Sequence, residues 1–173
     1  MKSNIAVVCL DYKIALEVAK ILADELDMYF LDIQGLYDFD IKPRTIAETI
    51  REYGIEYYRK EISGSIKYAS SFENSIMTIE SGAVEDVSNI EELRKHCLLI
   101  YIRSFPRWVE NENFKDDYRS AEEKEIYKVN DVDIVTRDKF MCKNFDIIAY
   151  GDDCDSESFA TNAIEKIKKY YGV

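Results

Sequence analysis

Histidine is almost missing: His96 is the only one in 173 residues. That excludes a metal centre built from several imidazoles, and its place just before a strand puts it on the surface. Cysteine is sparse too. Cys9, Cys97, Cys142 and Cys154 show no C-x-x-C or other metal-ligand spacing. Cys9 and Cys97 lie in or beside apolar strand segments and read as small core residues, which suits a reducing cytosol. Positive charge is in deficit, with 23 Lys and Arg against 34 Asp and Glu and a net charge of −11. Such a surface repels nucleic acid and anionic membranes, so neither is an expected partner. No apolar run nears the roughly 20 residues of a membrane span, and the N-terminus lacks a signal-type apolar segment. Repeats, low-complexity stretches and interdomain linkers are also absent. With 47% apolar residues, residues 1–173 are expected to form one domain with a sufficient core.

What is present is an alternation of strand and helix signals. Ile5–Leu10 is a continuous apolar run, the pattern of a strand covered on both faces. Ile14, Val18, Ile21, Leu22 and Leu26 then line one helical face, opposite Glu17, Lys20, Asp24 and Glu25. Further strands are expected at Tyr29–Ile33, Ser75–Ile79, Cys97–Ile102 and Phe145–Tyr150. Thr45 and Glu48 have capping-box spacing for a helix that ends near Gly54. Other helices are expected from Tyr57 to about Ser70, at Ile90–Lys95 and from about Ser156. The stretch from Pro106 to Asp133 is polar and acidic, helical in part. This order implies a three-layer α/β sandwich with a five-stranded parallel sheet and right-handed crossovers.

Glycine is missing where it matters most. The turn after the first strand reads Cys9-Leu10-Asp11-Tyr12-Lys13-Ile14-Ala15-Leu16-Glu17. In nucleotide kinases this turn is glycine-rich and carries a lysine, because bare backbone N–H groups and an ammonium must wrap a triphosphate. Here Asp11 stands in the place of the phosphate cradle. A carboxylate about 4 Å from a phosphate charge costs roughly 4 kcal/mol at an effective dielectric of 20. The economical reading is that Asp11 caps the first helix and fills the anion site from within. Lys13 lies two residues too early to replace the missing lysine.

Four ordered landmarks resemble the shikimate kinase family and cover nearly the whole chain. They are Val18 to Asp32 with its "ADELDMYFLD"; Thr45-Ile46-Ala47-Glu48 followed by Gly54 and Tyr58-Arg59; Glu80-Ser81-Gly82-Ala83-Val84 after a strand; and Arg137 eight residues before Phe145-Asp146. The resemblance implies a P-loop-kinase-like fold of the nucleoside-monophosphate-kinase type, with a reduced lid at about 106–133. It also implies transfer of the γ-phosphate of ATP to the 3-hydroxyl of shikimate, with Mg²⁺.

Carried over residue by residue, the resemblance is uneven. Asp32 matches the carboxylate that helps hold magnesium. Gln34 stands where the family has its base, and a carboxamide cannot take a proton, so no catalytic residue is assigned. Arg59 and Arg137 match the substrate-carboxylate clamp. Of the glycine triplet only Gly82 remains, with Glu80 and Ser81 in the other places. Ala15 replaces the Walker lysine and Leu16 the magnesium-binding hydroxyl. Arg119 is the nearest lid arginine. The expected protein is a degenerate, ATP-incompetent relative needing no cofactor. It would act as a binding or regulatory module that retains a site for a small hydroxy-carboxylate such as shikimate. An active shikimate kinase with an atypical loop and a protein-interaction platform are the alternatives.

Several residues also have plainer readings. Asp32 fits an Asx turn or salt bridge better than a metal. Glu80 reads as a substitution that closes an unused pocket. Tyr53, Tyr57 and Tyr58 are the one tyrosine group that could line a site, and Trp108 reads as a packing residue at a helix start.

Overall fold

Five strands and seven helices account for most of the computed structural model, which describes residues 2–104, 134–152 and 155–173. The strands are β1 (Asn4–Cys9), β2 (Tyr29–Asp32), β3 (Ser75–Glu80), β4 (Cys97–Ile102) and β5 (Ile147–Ala149). They pair in parallel in the order β2-β3-β1-β4-β5. The helices are α1 (Tyr12–Leu26), α2 (Ile33–Ile41), α3 (Ile46–Tyr53), α4 (Ile55–Ala69), α5 (Val87–His96), α6 (Ile134–Asn144) and α7 (Ser156–Tyr171).

The period of two along each strand divides the core between the two sheet faces. Ile5, Val7 and Cys9 of β1 pack with Ile14, Val18 and Leu22 of α1 and with Phe159, Ala163 and Ile167 of α7. Ala6 and Val8 point the other way, toward Tyr58, Ile62 and Ile66 of α4, Ile90 and Leu93 of α5, and Met141 of α6. Because β1 and β4 are buried at every position, β1 from Ile5 onward and the whole of β4 are continuous apolar runs rather than alternating ones.

The capping box at α3 forms as the spacing predicts: Glu48 N donates to Thr45 Oγ1 at 3.1 Å and Thr45 N donates to Glu48 Oε2 at 3.0 Å. Cys9 and Cys97 are buried, and His96 is the exposed last residue of α5.

Other boundaries move. Helix α4 starts at Ile55 rather than Tyr57, since Gly54 both ends α3 and opens the next helix with φ +88°. Helix α5 starts at Val87 because Asp86 caps it, accepting from Ser88 N at 2.9 Å. Strand β5 is only Ile147–Ala149. Helix α2 was not expected. Its weak amphipathic pattern and internal Gly35 hide it, but Asp32 caps it by accepting from Gly35 N at 2.9 Å. The segment containing Trp108 and Arg119, and also Cys154, lie outside the described residues. Among the described residues no helix is long and apolar enough to cross a membrane.

Candidate ligand site at the carboxyl edge of the sheet

In an open parallel sheet ligands collect beyond the carboxyl ends of the strands, where helix N-termini and loops converge. Here that edge is occupied by the chain's own polar side chains. Strand β1 ends at Cys9 and α1 begins at Tyr12, leaving only Leu10 and Asp11 between them. Asp11 is extended (φ −94°, ψ 105°), and its carboxylate accepts from Lys13 N at 3.0 Å. A carboxylate at this position neutralises the positive end of the helix dipole. Ala15 is buried, Lys13 exposed, and Glu17 accepts from Ser156 Oγ of α7 at 2.6 Å.

Tyr12 reaches across the same edge, a role that its sequence position alone did not suggest. Its hydroxyl donates to Asp32 Oδ1 at 2.5 Å, lies 3.2 Å from Thr78 Oγ1 and accepts from Gln34 N at 3.4 Å. Burial and the Asp32 charge push the Tyr12 phenol far up, so it stays protonated and remains a donor. Asp32 is thereby hydrogen-bonded by Tyr12 as well as by Gly35 N. Gln34 contributes its backbone N–H, not its side chain, to this group. The signal available in the sequence was an aromatic hydroxyl at the first helical position after Asp11, next in space to the end of β2.

The second half of the edge surrounds Arg59 of α4 and Arg137 of α6. They meet beyond β3 on one carboxylate, that of Glu85 in the 3₁₀ turn Ala83–Glu85. Arg137 Nε donates to Glu85 Oε1 at 2.5 Å, and Arg59 Nη2 is 3.9 Å from Glu85 Oε2. Arg59 also pairs with Glu56 at 2.9 Å. Arg137 is only 3% exposed. Its Nη1 lies 3.3 Å from Ser81 Oγ, while its Nη2 is buried and has no hydrogen-bond partner among the described residues. Gly82 lies beside that bare nitrogen, since a Cβ there would stand 3.4 Å from Nη2 and 3.5 Å from Glu80 Oε1.

Glu80, the last residue of β3, accepts from Tyr58 Oη at 2.8 Å. Burial raises its carboxyl above the ordinary range, although the Tyr58 hydrogen bond, Arg137 and Arg59 pull it down. Glu80 does not close the pocket: with Arg59, Ser63, Gly82, Glu85 and Ser88 it lines a cavity of about 480 Å³. The tyrosine group divides. Tyr58 turns inward to Glu80, whereas exposed Tyr53 and Tyr57 pack on each other with ring centroids 5.1 Å apart. Glu85 was also missed by sequence reasoning, since one acid among 34 Asp and Glu carries little signal. Its place three residues after Gly82 was the available hint.

Helix α6, which carries Arg137, is anchored by the next residue. Asp138 receives a two-pronged hydrogen bond from Arg103, at 2.9 and 3.1 Å, and a third from Tyr101 Oη at 2.8 Å. Burial by itself would raise the Asp138 carboxyl, but these bonds outweigh it and hold it below its ordinary value.

These residues do not fit ATP and Mg²⁺. A carboxylate faces the α1 N-terminus, and Asp32 is bonded to a tyrosine. Among the described residues no group of three or more His, Cys, Asp or Glu side chains could hold a metal ion.

Comparison with known proteins places this architecture. The family model described as shikimate kinase matches residues 17–168. The chain is 29% identical over 92 residues to a shikimate kinase of Alkaliphilus oremlandii and 30% identical over 89 residues to one of Caldanaerobacter subterraneus. These matches take in 53% and 51% of this chain, which spans about half the length of the two relatives, 54% and 52%. Among solved structures it is similar to shikimate kinase from Aquifex aeolicus, with a TM-score of 0.74, 18% identity and coverage of 97% and 98% of the two chains. Shikimate kinase from Acinetobacter baumannii in complex with shikimate is similar at a TM-score of 0.73 and 16% identity, covering 98% and 95%. By the match to the family model over most of its length, the chain belongs to the shikimate kinase family.

Proposed function

We propose that this chain is a shikimate-kinase-family protein that does not transfer phosphate and acts as a binding or regulatory module. Its ligand side is the Arg59–Arg137 pocket, suited to a small hydroxy-carboxylate such as shikimate. The observation that carries this reading is the occupancy of the nucleotide edge by the chain's own groups. Asp11 takes the Lys13 N–H, and the Tyr12 hydroxyl takes Asp32.

A triphosphate would have to displace a carboxylate from the helix N-terminus or sit beside it, at a cost of about 4 kcal/mol for each charge pair at roughly 4 Å. Neither Ala15 nor Leu16 carries a group that could offset this. Gln34 supplies no proton acceptor of the kind a hydroxyl nucleophile needs. A cytosolic location fits the thiols Cys9, Cys97 and Cys142, none of which is in a disulfide.

Calorimetric titration with ATP–Mg²⁺, together with a coupled assay of ADP release in the presence of shikimate, tests the reading. No heat of binding and no shikimate-dependent ADP are expected. Micromolar ATP affinity, or ADP release that requires shikimate, would establish an active kinase instead.

A further inference from the structure

We propose that Glu85 is a built-in occupant of the Arg59–Arg137 clamp, so that an external carboxylate enters this site only by displacing it. The inference rests on the carboxylate pocket of the function proposed above, and it adds that the arginine pair there is already occupied by a carboxylate of its own chain.

Three observations support it. Among the described residues Glu85 is the carboxylate within ion-pair distance of both guanidinium groups, through Oε1 to Arg137 and Oε2 to Arg59. It is carried on a short 3₁₀ turn rather than inside a helix or strand, and its side chain is 40% exposed. It therefore has room to swing outward. The third observation is the bare Nη2 of Arg137. A guanidinium presents its donors as a planar fork that a carboxylate fills with two parallel bonds. Glu85 engages Nε of Arg137, while Nη2 is buried and unbonded.

A buried donor left without an acceptor is unfavourable, so the clamp is occupied but incompletely satisfied. Gly82 adds no side chain to the space beside Nη2, which Glu80 Oε1 also borders. An external carboxylate seated there could bond Nη2, provided that Glu85 has turned away. Glu56 provides the contrast: it pairs with Arg59 alone and its side chain is 82% exposed.

The chemistry points to a small monocarboxylate with hydroxyl groups. The remaining lining offers Ser63, Ser88 and Glu80 as partners for hydroxyls. A multiply charged anion would meet Glu56, Glu80, Glu85 and Asp86 at the same wall.

The test is calorimetric titration of the intact protein with two probes, shikimate and cyclohexanecarboxylate. It compares wild type, Glu85→Gln, Glu85→Ala and the control Glu25→Gln on the exposed face of α1, outside the pocket lining, which changes net charge equally. Removing the internal competitor should tighten binding of both probes by about 10- to 100-fold, the worth of one charge-assisted contact. Glu25→Gln should leave affinity near the wild-type value. Adding Arg137→Ala to Glu85→Ala should abolish the gain. In ¹⁵N spectra the Arg137 Nε–H resonance should shift in Glu85→Ala and return toward its wild-type position when either probe is added.

Equal affinity in wild type and both Glu85 variants would overturn the proposal, as would an equal gain in Glu25→Gln. Absence of binding in all four proteins, each folded by circular dichroism, would overturn it together with the carboxylate pocket. The ATP titration measures nucleotide binding separately, so loss of the carboxylate pocket would leave the absence of phosphoryl transfer untouched.

Discussion

Replacing Tyr12 by phenylalanine isolates the contact between its hydroxyl and Asp32 at the carboxyl edge of the sheet. The substitution keeps the ring and removes only the oxygen that bonds Asp32, touches Thr78 and accepts from Gln34 N. The Asp32 bond has a carboxylate acceptor, so its net worth is about 1.5–3 kcal/mol. Gln34 N at 3.4 Å and Thr78 at 3.2 Å are longer and contribute less. Asp32 retains Gly35 N, so its charge keeps one partner in the variant. The expected loss is therefore about 1.5–3 kcal/mol, or roughly 3–12 °C in melting temperature for a domain of this size.

Urea denaturation measures it, and a double-mutant cycle with Asp32→Asn assigns it. With a slope of about 2 kcal/mol/M the midpoint falls by roughly 1 M. Asparagine can still accept from Gly35 N, so the cap survives in part. The coupling energy between positions 12 and 32 should be about 1–2 kcal/mol. A Tyr12→Phe variant as stable as wild type would refute the reasoning, and so would a coupling below about 0.5 kcal/mol. Neither variant should gain ATP affinity, because Asp11 still covers the α1 N-terminus.

Two carboxyls, Glu80 and Asp138, give pH signatures of opposite sign. The Glu80 carboxyl is raised in the folded protein by burial, so folding favours its protonated form. Its stabilising contribution is present below the unfolded value of about 4.5 and is lost as pH rises through the folded value. Glu80→Gln, which can still accept from Tyr58, should therefore gain stability relative to wild type between about pH 4 and pH 7 in thermal melts; a constant gap would refute it. Asp138 is held low, so its contribution is present above about 3.8 and disappears as pH falls through the folded value. Asp138→Asn should lose about 1–2 kcal/mol at neutral pH, discounted because Arg103 is 37% exposed. The two melting curves should converge in acid, and a gap that persists at low pH would refute the assignment.

The fold was legible because its signals are local. Ile5–Leu10 and Cys97–Ile102 are apolar at nearly every position, and a strand covered on both faces has no other pattern. The Thr45/Glu48 capping box needs only a three-residue spacing. Arg59 and Arg137 were found through their place in ordered landmarks, not through charge.

The partners of those residues were not legible, because they are set by approach across the sheet edge. Tyr12 meets Asp32 after 20 residues of chain, and Arg137 meets Glu85 after 52. Nothing in a window of sequence distinguishes Glu85 from the other acids, and Tyr58 is separated from exposed Tyr57 only by helical phase. Helix α2 was hidden for a different reason. Gly35 lowers the helical signal, yet it is required there, because a Cβ at that position would collide with the Asp32 carboxylate that caps the helix.

A ligand-binding edge that has lost its ligand leaves polar groups that water must reach or the chain must satisfy. On the proposed reading each is met by a side chain with the chemistry of the group it replaces. Asp11, an anion, meets the helix N-terminus where a phosphate would. The Tyr12 hydroxyl donates to Asp32 as a bound water would. The Glu85 carboxylate meets the arginine pair as a carboxylate ligand would. On that reading internal replacement keeps the fold stable without nucleotide or metal. The two halves of the edge differ in how completely this is done. The described contacts at Asp11 and Tyr12 leave no orphaned side-chain donor, whereas the arginine pair retains Arg137 Nη2. Around Asp11 and Tyr12 the edge is lined by groups that satisfy one another. The carboxylate side still holds a donor that its internal occupant does not reach, and that is where binding of a small molecule should persist.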